Sequence, residues 1–199
     1  MNKSAEYFII DINYYKTPCR HIEMESVPRI KGIRWLRGQP FTIPVPEPLK
    51  LNFSRLNRNH PEMSDRVLNF MDAAKFPIFS DKLISSLRSF GVDNFETYNL
   101  EIYDPDSNKV YSNYKAVNIL GLLKAADMDK STYTISDGIP LVNVEFEELH
   151  IDPNKTHDFK LFRLAEKLGP IFIHEKLKRY LESCGFDEIV YYVTSEAAI

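Results

Sequence analysis

A signature of nine residues occurs twice in this chain, about half its length apart. Pro77, Ile78, Phe79, Lys82, Leu83, Leu87, Ser89, Gly91 and Asp93 recur in order as Pro170, Ile171, Phe172, Lys176, Leu177, Leu181, Ser183, Gly185 and Asp187, with one extra residue in the second copy. Each copy predicts a short strand followed by one helix. The Pro-Ile-Phe triplet is extended and apolar, the two leucines share a helix face, and the glycine supplies the left-handed residue that ends a helix. Solenoid repeats run roughly 20 to 50 residues, so a separation this long is not a repeat array. It leaves a duplication, or two similar units packed in one domain.

The rest of the chain reads as strands and turns around these two units. Tyr7 to Ile12 is a strand, and Trp35 between Arg34 and Arg37 anchors a loop on the core. Pro40, Pro44, Pro46 and Pro48 alternate with Phe41, Ile43 and Val45, which forbids a helix and predicts an extended piece near polyproline II or an edge strand, either a ligand for a groove-binding module or, as the apolar interleaving favours, a strand lying over the core. Ser64 or Asp65 caps a predicted short helix with Val67, Leu68 and Met71 on one face. Ser80 caps the helix Asp81 to Phe90, and the turn Asp104-Pro105-Asp106-Ser107-Asn108 joins two strands in a hairpin. Val117 to Ala126 fits either a strand entering a helix or one longer helix. Thr132 to Ile135 and Ile139 to Val144 form a second predicted hairpin about Asp137-Gly138. Glu145 to Asp158 then reads as an acidic, exposed loop. Phe159 to Leu164 is strand, with Arg163 facing solvent or paired with an acid, and Glu188 to Thr194 closes the chain. The expected class is α+β, with a mixed, largely antiparallel sheet, flanking helices and two similar strand-helix units.

The run LFRLAEKLGPIFIHEKLKRYLESCGF from Leu161 to Phe186 resembles the C-terminal signature of a bacterial polymorphic-toxin immunity family, the eleventh immunity-protein family. That signature has an apolar-Phe-Arg-Leu strand, a short gap, an apolar strand, and a Glu-x-Leu-Lys helix closing on Gly. FPIFSDKLISSLRSFGV from Phe76 to Val92 and YKAVNIL from Tyr114 to Leu120 resemble its middle section. The resemblance covers roughly residues 64 to 193. Length and hydrophobic content fit one globular domain over 1–199, or one domain with a loosely attached N-terminal section; 1–63 is an N-terminal strand and Pro-rich section and 64–199 the family-like core, with units near 76–93 and 169–187. The resemblance implies a fold of this family for the core. It also implies a protein that neutralises a cognate toxin by direct binding.

Composition bears on the partner and the compartment. The chain has 199 residues, 44% of them hydrophobic, which is enough for a core without staples. A formal charge of −3 and a pI near 6.0 disfavour nucleic acid as a partner. The apolar run at the N-terminus is broken by Asp11, too short for a signal-peptide core of about 7 to 15 residues, and no run approaches the roughly 18 to 20 of a membrane span. Cys19 and Cys184 have no metal-ligand spacing. The expectation is a reduced, cytoplasmic protein without membrane contact or cofactor.

Seven glycines form no phosphate loop, and HExxH, CxxC and GxSxG patterns are missing. Cys19-Arg20-His21 sets a thiol beside a cation and an imidazole, but neighbours on an extended chain point to opposite faces. Glu145, Glu147, Glu148, His150, Asp152, His157 and Asp158 offer carboxylates and imidazoles for a divalent metal, a solvated surface, or a docking face for a basic toxin cleft. Glu145, Glu147, Glu148, His150 and Asp152 are the candidate partner-binding residues. The expected function is a non-catalytic immunity protein. The alternative is an enzyme or small-molecule binder with a pocket between the two strand-helix units.

Overall fold

The computed structural model of the chain describes residues 6–57, 59–73, 75–135 and 144–199. In chain order its elements begin with β1 (Tyr7–Ile12), β2 (Leu49–Asn52), β3 (Phe70–Asp72), β4 (Pro77–Ser80), α1 (Asp81–Phe90), β5 (Phe95–Asp104) and β6 (Lys109–Tyr111). There follow β7 (Tyr114–Ile119), β8 (Leu122–Leu123), β9 (Thr132–Ile135), β10 (Val144–Glu148), β11 (Leu161–Leu164), β12 (Ile171–His174), α2 (Glu175–Ser183) and β13 (Ile189–Val193). The chain is mostly strand with few helices, in mixed sheets, consistent with an α+β class. Among the described residues the strands form three sheets rather than one. The Asp137-Gly138 turn and most of the strand expected from Ile139 lie outside the described residues. The flanking β9 and β10 do pair antiparallel, Val144 opposite Ile135.

Two compact units divide the chain. The central unit comprises Ile12–Trp35 and Pro40–Asn118. Its sheet runs β2-β5-β7-β4-β3, with β6 added to β5. The pairing of β2 with β5 is parallel, and those of β3 with β4 and β4 with β7 are antiparallel. Helix α1 starts where the Ser80 side chain accepts the Leu83 N–H, and it stops at Gly91, whose φ of 94° only glycine adopts freely. Leu83, Ile84 and Leu87 form its buried face. Trp35 is buried against Phe41, Phe76 and Tyr98, with ring centroids 4.9, 4.5 and 5.5 Å away.

Two expectations for this unit fail. No helix forms around Ser64 to Met71. The apolar spacing there suits a helix, but Ser64 N–H donates to the Cys19 carbonyl and Arg20 N–H to that of Arg66, so this backbone is committed to a neighbouring segment. The proline-alternating stretch is not a strand either. Prolines supply no N–H to a ladder, only Val45 among its apolar residues is buried, and β2 begins at Leu49 once the prolines end.

The C-terminal unit gathers Ile119–Ile199, Leu36–Gln39 and the chain start through Asp11. Its main sheet runs β13-β1-β12-β11-β8. The first strand is therefore inserted between two of the last, Tyr7 opposite His174 and Ile10 opposite Ile171. Tyr7 and Ile9 join Phe146, Phe162 and Phe172 in one core cluster, while Lys178 of α2 lies 5.0 Å over the Phe8 ring. Both faces of β1 are covered, which explains its unbroken Tyr-Phe-Ile-Ile run. The ambiguous segment after Val117 resolves as β7 and β8, not a helix. Of the two expectations for Arg163, the solvent-facing one fails. It is buried, and its Nη1 donates to the carbonyl oxygens of Leu168 and Gly169. The guanidinium thereby holds the loop between β11 and β12.

Candidate functional site

The acidic segment is only partly the loop its composition suggested. Glu145, Glu147 and Glu148 belong to β10, where Val144 and Phe146 point inward and Glu145 and Glu147 outward. The alternation is that of a half-buried strand. Charged residues dominate the count, but the two apolar positions between them decide the conformation. Leu149 is fully buried and its N–H donates to the Thr194 carbonyl, which fixes the strand's exit.

His150 and Asp152 follow on an ordered turn. His150 N–H donates to Ser131 Oγ at 2.9 Å, and its carbonyl accepts the Asp127 N–H. Asp152 caps the 3-10 turn Pro153–Lys155 by accepting the Asn154 N–H. The charges are partly paired: Glu145 lies 2.8 Å from Lys167, Glu148 2.9 Å from His150 Nε2, and Asp152 3.5 Å from Lys155. Asp127 sits 2.6 Å from Lys130, whose hydrogen bond outweighs the effect of burial and holds the carboxyl below its ordinary range. The same bond raises the Lys130 ammonium, helped by Asp152 and Asp129. Strand and turn thus carry acids interleaved with lysines, and the field is weaker than the acid count alone implies. His157 and Asp158 end the segment with consecutive left-handed conformations, φ 49° and 61°. Among the described residues no group of three or more His, Cys, Asp or Glu is placed to hold a metal ion.

The thiol candidate fares differently. Cys19 is 1% exposed, and burial, opposed by Arg66, pushes its thiol up to about 11. At neutral pH it is a protonated core residue, not a nucleophile. The His21 ring stands edge-on to Tyr14, 4.8 Å between centroids. A cleft of about 230 Å3 lies beside them, lined by Tyr14, Arg20, His21, Ile22, Met24, Met71 and Asp72. Its buried Arg20 is committed elsewhere, to Asp104 and Asp106 at 2.7 Å each and to the Ser54 carbonyl. The sequence reading missed this cluster. The Asp104-Pro105-Asp106 turn was visible, but nothing local says that an arginine far upstream closes onto it.

No helix among the described residues is long and apolar enough to cross a membrane. A family model described as an immunity protein family (Imm11) matches residues 6–196. The match begins with the residue before β1, so it extends well beyond the stretch from residue 64 in which the resemblance was first legible. No curated protein matches the chain.

Proposed function

We infer, from the premise that this chain belongs to the Imm11 immunity protein family, that it protects the cell producing it by binding a cognate toxin directly and in equal proportion. The observation that carries this reading is the extent of the family match, which takes in both units. Family membership points to a non-enzymatic role, and the buried, protonated Cys19 is in keeping with it. The two free cysteines, Cys19 buried and Cys184 half-buried, suit the reducing cytoplasm we propose as the place of action.

We take the outward face of β10 and the turn after it as part of the binding surface. Glu145 and Glu147 project from a strand anchored by Val144 and Phe146, so the carboxylates are presented on a rigid support. A toxin that holds nucleic acid or a phosphorylated cofactor in a basic cleft would meet this face with complementary charge, which speeds association at low salt. Replacing Glu145, Glu147 and Glu148 together with lysine is expected to weaken binding of the toxin encoded by the neighbouring reading frame and to flatten its salt dependence. Thermal unfolding should change little, because the three side chains are exposed or half-buried. Unaltered affinity across a range of salt would move the contact surface elsewhere while leaving immunity by binding intact.

A further inference from the structure

The inner strands of the two sheets sit in sockets with the same hydrogen-bond pattern. In the central unit Ser80, which caps α1, lies opposite Tyr114, with Phe79 and Ile78 opposite Lys115 and Ala116. In the C-terminal unit His174, which caps α2, lies opposite Tyr7, with Ile173 and Phe172 opposite Phe8 and Ile9. The first helical N–H reaches the carbonyl just before that tyrosine in both, Asp81 to Asn113 and Glu175 to Glu6, each at 2.9 Å. The capping residue's own N–H reaches the carbonyl just before the strand on the other side, Ser80 to Asn69 at 2.8 Å and His174 to Lys160 at 3.0 Å. On that side Phe79 and Ile78 face Phe70 and Met71, as Ile173 and Phe172 face Leu161 and Phe162. Both helices close alike, Val92 N–H on the Leu87 carbonyl and Phe186 N–H on that of Leu181. The sheet orders β5-β7-β4-β3 and β13-β1-β12-β11 then correspond strand for strand. The inner strands also match in sequence: each has 6 residues, with Tyr first, Asp11 or Asn118 fifth and Ile last.

We propose that the chain is a tandem duplication whose inner strands have traded sheets. In chain order β1 precedes β3, β4, α1 and β5, and β7 precedes β11, β12, α2 and β13, so each copy reads strand, hairpin, helix, strand. Yet β1 is seated in the sheet of the second copy and β7 in that of the first. The untraded seating, with β1 beside β4, is then a second arrangement open to the same chain. The fifth residue of the strand selects between them. Asn118 is fully buried and its Nδ2 donates to Glu96 Oε2 at 3.1 Å. Asp11 in that seat would bury a carboxylate against the half-buried Glu96 carboxylate, whereas in its own seat Asp11 is exposed. The acid-for-amide difference is the device that keeps each strand in its sheet.

Residues directly opposite in an antiparallel pair are close enough for a disulfide. The test uses the full chain carrying Cys19→Ala and Cys184→Ala, unfolded, reduced and then refolded in a glutathione buffer, with monomeric crosslinks read on a non-reducing gel. Tyr7→Cys with His174→Cys reports the traded seating and Tyr7→Cys with Ser80→Cys the untraded one. Tyr7→Cys with Val110→Cys, on exposed β6, gives the random background. The 7-to-174 crosslink is expected to dominate, the 7-to-80 crosslink to exceed background, and Asp11→Asn to raise the latter by about threefold or more. A 7-to-80 yield at background, a yield that Asp11→Asn leaves unchanged, or failure of the 7-to-174 crosslink overturns the proposal.

Discussion

Replacing Arg20 with alanine lowers the free energy of unfolding by about 3 to 5 kcal/mol, the scale for removing one partner of a buried ion pair. The Arg20 and Asp104 side chains are 1% and 7% exposed, 2.7 Å apart, with Arg20 also bound to Asp106 and to the Ser54 carbonyl. Truncation strands an acid and a carbonyl together, and it removes the cation stacked 5.3 Å from the Phe53 ring. The pH dependence follows from the carboxyls. Burial pushes Asp104 up, but hydrogen bonds from Ser107 and the Asp106 N–H, together with Arg20, outweigh it and leave the group below its ordinary value. Asp106 is held down chiefly by its hydrogen bond from Arg20. With folded values below unfolded ones, the stabilisation is complete above the ordinary carboxylate range near about 4 and is lost as pH falls through the folded values. Denaturant titrations of the parent and Arg20→Ala should therefore differ most near neutrality and converge in acid. A difference below about 1 kcal/mol at pH 7 would mean that solvent screens the pair as it does a surface one.

Truncating either core leucine of the two helices should cost about 2 to 5 kcal/mol. Leu87 and Leu181 are each 1% exposed. Their carbonyls also accept the N–H groups that close the helices past Gly91 and Gly185, so a collapse of the cavity is resisted by a fixed helix end. Leu87→Ala and Leu181→Ala are expected to lower the thermal midpoint separately, and unchanged midpoints would mean that the helix faces are assigned wrongly.

The elements legible in the sequence are those specified by neighbours along the chain. The β4–α1 and β12–α2 segments, the capping Ser80, the glycine stops and the β5–β6 hairpin follow from spacing and turn chemistry within a dozen or so residues. The match of the two Pro-Ile-Phe triplets does not carry over, because the strand pairing sets Phe79 level with Ile173 and not with Phe172. Where long-range pairing overrides local preference, the reading fails. Val67, Leu68 and Met71 have helical spacing, yet their stretch is extended because the Cys19 and Arg20 backbone is paired with it. The seat of β1 beside β12 is set by residues at the far end of the chain. At the candidate site the residue types were legible and the conformation was not, since three glutamates mask the alternation of Val144 and Phe146. The pairing of Glu145 with Lys167 was equally hidden, because the lysine comes from a different loop.

Immunity by direct binding is tested most directly by titrating the purified chain into the toxin encoded by the neighbouring reading frame in a calorimeter, with residual toxin activity read at each point. The account predicts one chain per toxin, a Kd in the nanomolar range or below, and activity that falls to zero at equivalence, as expected for an interface of about 1,200 to 2,000 Å2. Cells protected by the chain in which the two purified proteins give no heat, form no complex and leave the toxin fully active would contradict it.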